Sequence, residues 1–296
     1  MKKVAIAGAS GFVGEYLSSF LAANGWSVVR IGRANAEATW NDQPSLIRAL
    51  EGANAVVNLA GKSVNCRFND RNVKELISSR VETTRAIGEA IALCRNPPSI
   101  WINASGASIY PETNGKPNTE ESPADGAGTM AEVARMWEQA LDVANTPNTR
   151  KVALRISLVL GENGGVYPTF RLLTKAMQGG AQGSGKQIMS WIHIHDLCRM
   201  ILATIESEQP PCTLNAAAPQ PLANEEFMRR FRKSLAIGFG LNAPAVLIKI
   251  GTAMLGVDSE LVLRGMNVTS AEADRMGFVF QFPELDMALA DLASRR

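Results

Sequence analysis

Two histidines and four cysteines in 296 residues leave little material for a metal centre or a disulfide framework. Cys66, Cys94, Cys198 and Cys212 show no CxxC spacing, so reduced thiols are expected and a structural zinc site is not. Net charge is nearly absent: 30 Lys and Arg stand against 28 Asp and Glu, which gives no footprint for nucleic acid or a membrane surface. Long apolar runs are missing too. Behind Lys2 and Lys3 the first apolar stretch breaks at Gly8 and Ser10, so neither a signal peptide nor a spanning helix is expected, and the reading is a cytoplasmic protein. There is no repeat and no low-complexity linker. What remains, at 46% hydrophobic residues, is enough to bury one large domain or a domain plus a lobe.

The organising stretch is Lys3-Val-Ala-Ile-Ala-Gly8-Ala-Ser-Gly11-Phe-Val-Gly14. An apolar run ending in glycine suits a parallel strand buried on both faces. Gly8 and Gly11 free the turn and let a pyrophosphate approach the backbone, while Gly14 lets the next helix pack close on the strand. Amides at a helix start, with the positive end of its dipole, favour an anion. Gly8, Ser10, Gly11, Phe12, Val13 and Gly14 are therefore the expected dinucleotide cradle. The second strand, Ser27 to Ile31, ends in Gly32-Arg33 with no acid between Trp26 and Arg33, where an acid would hold a 2′-hydroxyl and an arginine a 2′-phosphate. That favours NADP(H) over NAD; the alternative is an ordinary solvated arginine.

Alternating strands and helices follow: a strand Ala55 to Gly61, a helix Arg71 to Leu93 closed by Pro97-Pro98, a strand Ser99 to Ala104, a helix from Thr129 to Val143 and a strand Lys151 to Leu160. The fold class expected is α/β, a Rossmann-type doubly wound parallel sheet. Residues 1–160 form the nucleotide-binding part, with 188–216 returning to it; 161–187 and 217–296 form a smaller, α-rich C-terminal substrate lobe. The cluster Gly179-Gly180-Ala-Gln-Gly183-Ser-Gly185 reads either as a mobile loop or as a second anion cradle. Ile188 to Ile194 reads as extended, with Asp196 capping the following helix; His193 and His195 would then share one strand face, a geometry compatible with metal but without a third ligand.

Several longer motifs carry a family resemblance: Asn58-Leu-Ala-Gly-Lys-Ser-Val-Asn-Cys66-Arg67, Ser79-Arg80-Val-Glu-Thr-Thr84, Trp137-Glu138, Ser190-Trp-Ile-His-Ile-His-Asp196 and Gly277-Phe-Val-Phe-Gln-Phe-Pro283. With the glycine turn they resemble the extended short-chain dehydrogenase/reductase superfamily, and within it the atypical nucleoside-diphosphate-sugar epimerase subfamily with its added C-terminal domain. The resemblance implies an NADP-dependent oxidoreductase or epimerase-like activity on a small, nucleotide-linked substrate, in a monomer or homodimer. It implies cofactor contacts at Leu59, Ala60, Gly61, Glu75, Arg80 and Met130, although Arg80 also reads as a plain helix-surface residue. Aligned on Trp137-Glu138, the superfamily's catalytic tyrosine and lysine fall on Met130 and Ala134, which move no proton. Ser105 and Tyr110 are the remaining candidates for catalysis, Tyr110 reading equally as a packed aromatic. The competing reading is an NADP(H)-binding redox reader or scaffold without turnover.

Overall fold

The computed structural model describes residues 2–294. The first half alternates β1 (Lys3–Ala7), α1 (Phe12–Ala23), β2 (Ser27–Gly32), β3 (Ala38–Thr39), α2 (Gln43–Leu50), β4 (Ala55–Asn58), α3 (Asp70–Leu93), β5 (Ile100–Gly106), α4 (Thr129–Asp142) and β6 (Arg150–Ile156). The second half holds β7 (Leu158–Gly161), β8 (Gly164–Gly165), α5 (Tyr167–Lys175), β9 (Ile188–Met189), β10 (Trp191–His193), α6 (Ile194–Glu206), β11 (Thr213–Ala216) and β12 (Leu222–Ala223). It ends in α7 (Asn224–Ser234), α8 (Ala245–Leu255), α9 (Glu260–Leu263), α10 (Ala271–Arg275) and α11 (Leu285–Ser294).

Seven strands, all parallel, form the central sheet in the order β3-β2-β1-β4-β5-β6-β11. Its strands are near-continuous apolar runs because both faces are covered. On one face, α1 and α6 pack Leu17, Leu21, Leu197 and Ile201 against Val4, Ile6, Val57 and Ile102. On the other, α2, α3 and α4 pack Leu46, Leu50, Ile87, Ile91 and Leu141 against Ala5, Ile31, Val56 and Trp101. A separate core of Tyr167, Phe170, Trp191, Phe227, Phe231, Leu285 and Leu289 lies among α5, α7 and α11. Among the described residues no helix is long and apolar enough to cross a membrane.

The second half departs from the expected elements. The strand read as Lys151 to Leu160 is two strands: at Ser157 both the amide and the hydroxyl turn to the Ala216 carbonyl, and Leu158 then pairs in a different sheet, β10-β7-β8. An apolar run cannot reveal such a switch, because both halves are buried. The stretch Ile188 to Ile194 likewise splits at Ser190 and turns helical at Ile194. Asp196 does not cap α6. His193 does, its Nδ1 accepting the His195 amide at 3.2 Å, while buried Asp196 accepts the Gln281 and Phe282 amides and pairs with Arg199. His193 and His195 therefore do not share a strand face. Nor is the 179–185 cluster an anion cradle: the amides of Gly180 and Gly183 are taken by the carbonyls of Leu241 and Ala243.

A close contact ties α1 to the β7–β8 hairpin. The Phe12 ring, in the first turn of α1, lies against the β7–β8 hairpin, where a Cβ on Gly161 or Gly164 would stand 2.5 or 2.4 Å from it. Gly164→Ala is expected to destabilise the protein by about 1–3 kcal/mol through overpacking. In a Phe12→Ala background it should be nearly neutral, so a urea double-mutant cycle reads strong coupling; additive effects would contradict this packing.

Candidate active site

The crevice opens where the strand order reverses, between the C-terminal ends of adjacent β1 and β4. Gly8 turns the chain at φ +78°, and a side chain there would lie 2.8 Å from the Leu59 carbonyl. A Cβ on Gly14 would lie 2.2 Å from the Gly8 oxygen, so α1 is pressed onto the turn as only glycine allows. α1 starts at Phe12 behind Gly11 without a side-chain cap. The helices that flank the opposite face are treated differently: Asp42 caps α2, Asn69 caps α3, and the Glu260 carboxylate accepts the Thr129 and Met130 amides at the start of α4. The first amides of α1 and its dipole thus face the crevice with no protein acceptor supplied by a side-chain cap.

Arg80 stands on the wall across the crevice. It is only 8% exposed, stacks over the Trp137 ring at 4.9 Å, and passes so close under Gly61 that a Cβ there would be 2.9 Å from its Cζ. Its one hydrogen bond goes to the Leu76 carbonyl at 3.0 Å, and among the described residues it has no ion pair. Burial pulls its pKa down to about 10. A buried, unpaired guanidinium is costly unless an anion joins it. Next to it the Ala60 amide is held by Asn58, itself bonded to Asn103 and Thr84, which fixes the Leu59-Ala60-Gly61 exit of β4. Arg33 is exposed at the end of β2 and carries no ion pair among the described residues. Glu75 is engaged otherwise: Lys62 and Arg71 hold its carboxylate below the usual range, so any link from it to the crevice runs through Lys62, whose amide Ser79 holds.

The structure draws Ser105 and Tyr110 into one buried network. The Ser105 hydroxyl donates to Glu138 at 2.6 Å; Arg155 grips both Glu138 oxygens at 2.8 Å and donates to the Tyr110 oxygen at 2.7 Å; Tyr110 donates to Asn215 at 2.9 Å. Burial opposes the Arg155 charge, yet Glu138 and Tyr110 raise its pKa above the ordinary arginine value. The Tyr110 proton is committed and the phenol is 3% exposed, so this geometry is that of a structural tyrosine. Met130 and Ala134 lie on the same side, with Ala134 Cβ 3.9 Å from where a Gly106 side chain would begin. Ser108, whose hydroxyl reaches the Met130 carbonyl, is the remaining small polar group there. Arg155 had a signal in the sequence, a charge in the apolar part of its strand, and Glu138 stood in the Trp137-Glu138 motif. Glu260, brought in from a distant segment, had none.

Burial raises the Tyr110 pKa above its ordinary value of 10.0, with Arg155 opposing the rise. A folded-state pKa above the unfolded one favours the fold while the phenol is protonated and loses that contribution as pH climbs through the alkaline range. Stability should therefore fall above pH 10 in the native chain and fall less steeply in Tyr110→Phe, read by thermal melts against pH; identical slopes would contradict this.

Comparison with known proteins agrees with this architecture. The chain is 31% identical to epimerase family protein SDR39U1 from Bos taurus over 98% of this chain and 99% of that protein. It is 29% identical to epimerase family protein YfhF from Bacillus subtilis over 99% and 98%. Human SDR39U1 (isoform 2), crystallised with NADPH, superposes with a TM-score of 0.91 at 29% identity, covering 99% of this chain and 100% of that one. UDP-N-acetylglucosamine 4-epimerase from Bacillus cereus shares the fold at a TM-score of 0.78 and 16% identity. Residues 243–292 match a domain of unknown function, DUF1731. Residues 4–217 match the NAD dependent epimerase/dehydratase family, and the chain belongs to that family.

Proposed function

We propose that this chain binds NADP(H) in the β1–β4 crevice and acts as an epimerase-like oxidoreductase on a small, nucleotide-linked substrate. The observation that carries the reading is the pairing of an uncapped, glycine-walled helix start with a buried arginine lacking an anion, on two sides of one crevice. The NADPH in the human relative's crystal supports the choice of cofactor. In this reading Gly8, Ser10, Gly11, Phe12, Val13 and Gly14 meet the pyrophosphate, Gly32 and Arg33 the 2′-phosphate, and Leu59, Ala60 and Gly61 the adenosine side. Arg80 meets a phosphate or ribose oxygen, and Met130 borders the nicotinamide end. Bound there, the nicotinamide supplies hydride chemistry. The protein orients it and screens it from water, while residues 161–187 and 217–294 close the substrate side.

Proton handling is where this chain departs from its superfamily. Ser105 gives its proton to Glu138, Tyr110 gives its own to Asn215, and Met130 and Ala134 have none to give. These bonds favour the second reading, an NADP(H)-binding redox reader without turnover, over any scheme in which Tyr110 is the acid. A substrate that needs only weak acid assistance, from Ser105 or Ser108, keeps the first.

Identifying the dinucleotide that co-purifies, then following NADPH oxidation over a panel of carbonyl compounds and nucleotide sugars, separates the two: firm binding without turnover means the reader. Arg33→Ala should bring NADPH affinity down toward that of NADH. Arg80→Met should weaken NADPH binding by about tenfold or more, as the loss of a charge-assisted contact implies, while raising the melting temperature of the cofactor-free protein. Unchanged affinity in both variants would sink the proposal.

A further inference from the structure

The loop that leads from Gly61 to α3 is held from outside the nucleotide-binding half. Among the described residues, the hydrogen bonds that 63–68 make beyond their own stretch go to Asn72 on α3 and otherwise to 253–258. The Arg67 guanidinium donates to the Ala253 carbonyl near the end of α8. The Asp258 amide donates to the Cys66 carbonyl at 3.1 Å, and the Phe68 amide donates to the Asp258 carboxylate at 3.2 Å. α8 leads into this turn with little packing of its own: Val246, Leu247, Ile250 and Met254 form an exposed stripe and only Ile248 is buried, so polar bonds do the holding. The other Asp258 oxygen accepts the Glu260 amide at 3.0 Å, and Glu260 accepts the Thr129 and Met130 amides at 3.1 Å each. One carboxylate therefore joins the loop beside Arg80 to the helix start that carries Met130. That loop meets Arg80 twice: Gly61 lies against the guanidinium, and the Cys66 thiol is near enough that its charged form would favour the Arg80 charge.

We propose that Asp258 is a positioning residue for the cofactor: its carboxylate clasps the 63–68 loop to the Glu260 turn and so fixes Arg80 and Met130 relative to one another across the crevice. The inference rests on the proposed NADP(H) site and deepens it, giving the C-terminal lobe a part in binding that needs no contact with the dinucleotide. A buried guanidinium holds an anion strongly while its surroundings stay dry and fixed. Released at 63–68, the loop would move away from Arg80 and admit water to it, which weakens the same charge-assisted contact. Beyond Glu260 the lobe is tied independently, Arg264 donating to the Tyr110 carbonyl at 3.1 Å and the Gly265 amide to Glu112 at 2.9 Å. Loss of the Asp258 carboxylate thus frees the loop without detaching the lobe.

The test is a double-mutant cycle on the full chain, with NADPH and NADH affinities read by titration calorimetry. Asp258→Ala should weaken both dinucleotides alike, by about five- to tenfold, because the clasp acts at the Arg80 wall and not at the 2′-phosphate. Asp258→Asn keeps one oxygen for one of the two amides and should lose about two- to threefold; it carries the comparison if the alanine variant does not fold. In an Arg80→Met background Asp258→Ala should add no further loss, an outcome that a merely structural role would not give. Exchange of the Phe68 and Glu260 amides in the cofactor-free protein should speed up in Asp258→Ala. Unchanged affinity in Asp258→Ala beside a loss in Arg80→Met, or a loss that persists in full without Arg80, would overturn this inference alone. A parent chain that binds neither dinucleotide would overturn the proposed function and this inference with it.

Discussion

Everything in the crevice depends on how tightly α1 is pressed onto the turn that follows β1. The Gly8 carbonyl lies where a side chain at position 14 would have to stand. Because both positions are glycine, the helix start is carried to the end of β1 and its amides are aimed across the switch point toward β4. No side-chain cap is provided there, whereas the start of α4 is closed by Glu260. One helix start has no side-chain cap and the other is capped by a carboxylate from a distant segment. Phe12 extends the constraint outward, since its ring is wedged into the glycine hairpin that leads to α5.

The two buried arginines divide the labour of the site. Arg155 is saturated: both Glu138 oxygens and the Tyr110 oxygen surround it, and through Asn215 and Glu120 the same network reaches Ser270 and the start of α10. Such a network rigidifies the wall and removes its protons from chemistry. Arg80 is the opposite, a cation buried with one carbonyl for company. The Arg155 guanidinium makes three side-chain hydrogen bonds and that of Arg80 one, which is the contrast that the proposed ligand at Arg80 rests on.

The glycine turn was legible because its physics is local: an apolar run, three glycines and a helix pattern force nearly one geometry. The same holds for most of the parallel sheet, whose strands read as short apolar runs separated by helices long enough to show a period. Legibility failed where burial erased the pattern. The break at Ser157 and the turn into helix at Ile194 fall within largely apolar stretches that are buried on both sides of the break, so hydrophobic pattern alone does not mark them. The polar network was half legible, since Arg155 stands out in its strand, but its partners Glu138 and Asn215 come from other elements. Glu260 and the outward stripe of α8 were hidden altogether: a capping carboxylate from a distant segment and an apolar helix that faces solvent both depend on how segments far apart in sequence are placed.

The central claim is that the opening amides of α1 are held in reserve for a phosphorylated cofactor. Backbone hydrogen exchange of the 8–14 segment, measured with and without NADPH, tests it most directly. Strong protection of the Phe12 and Val13 amides on NADPH addition is the predicted result, and exchange rates unchanged at saturating NADPH would contradict it.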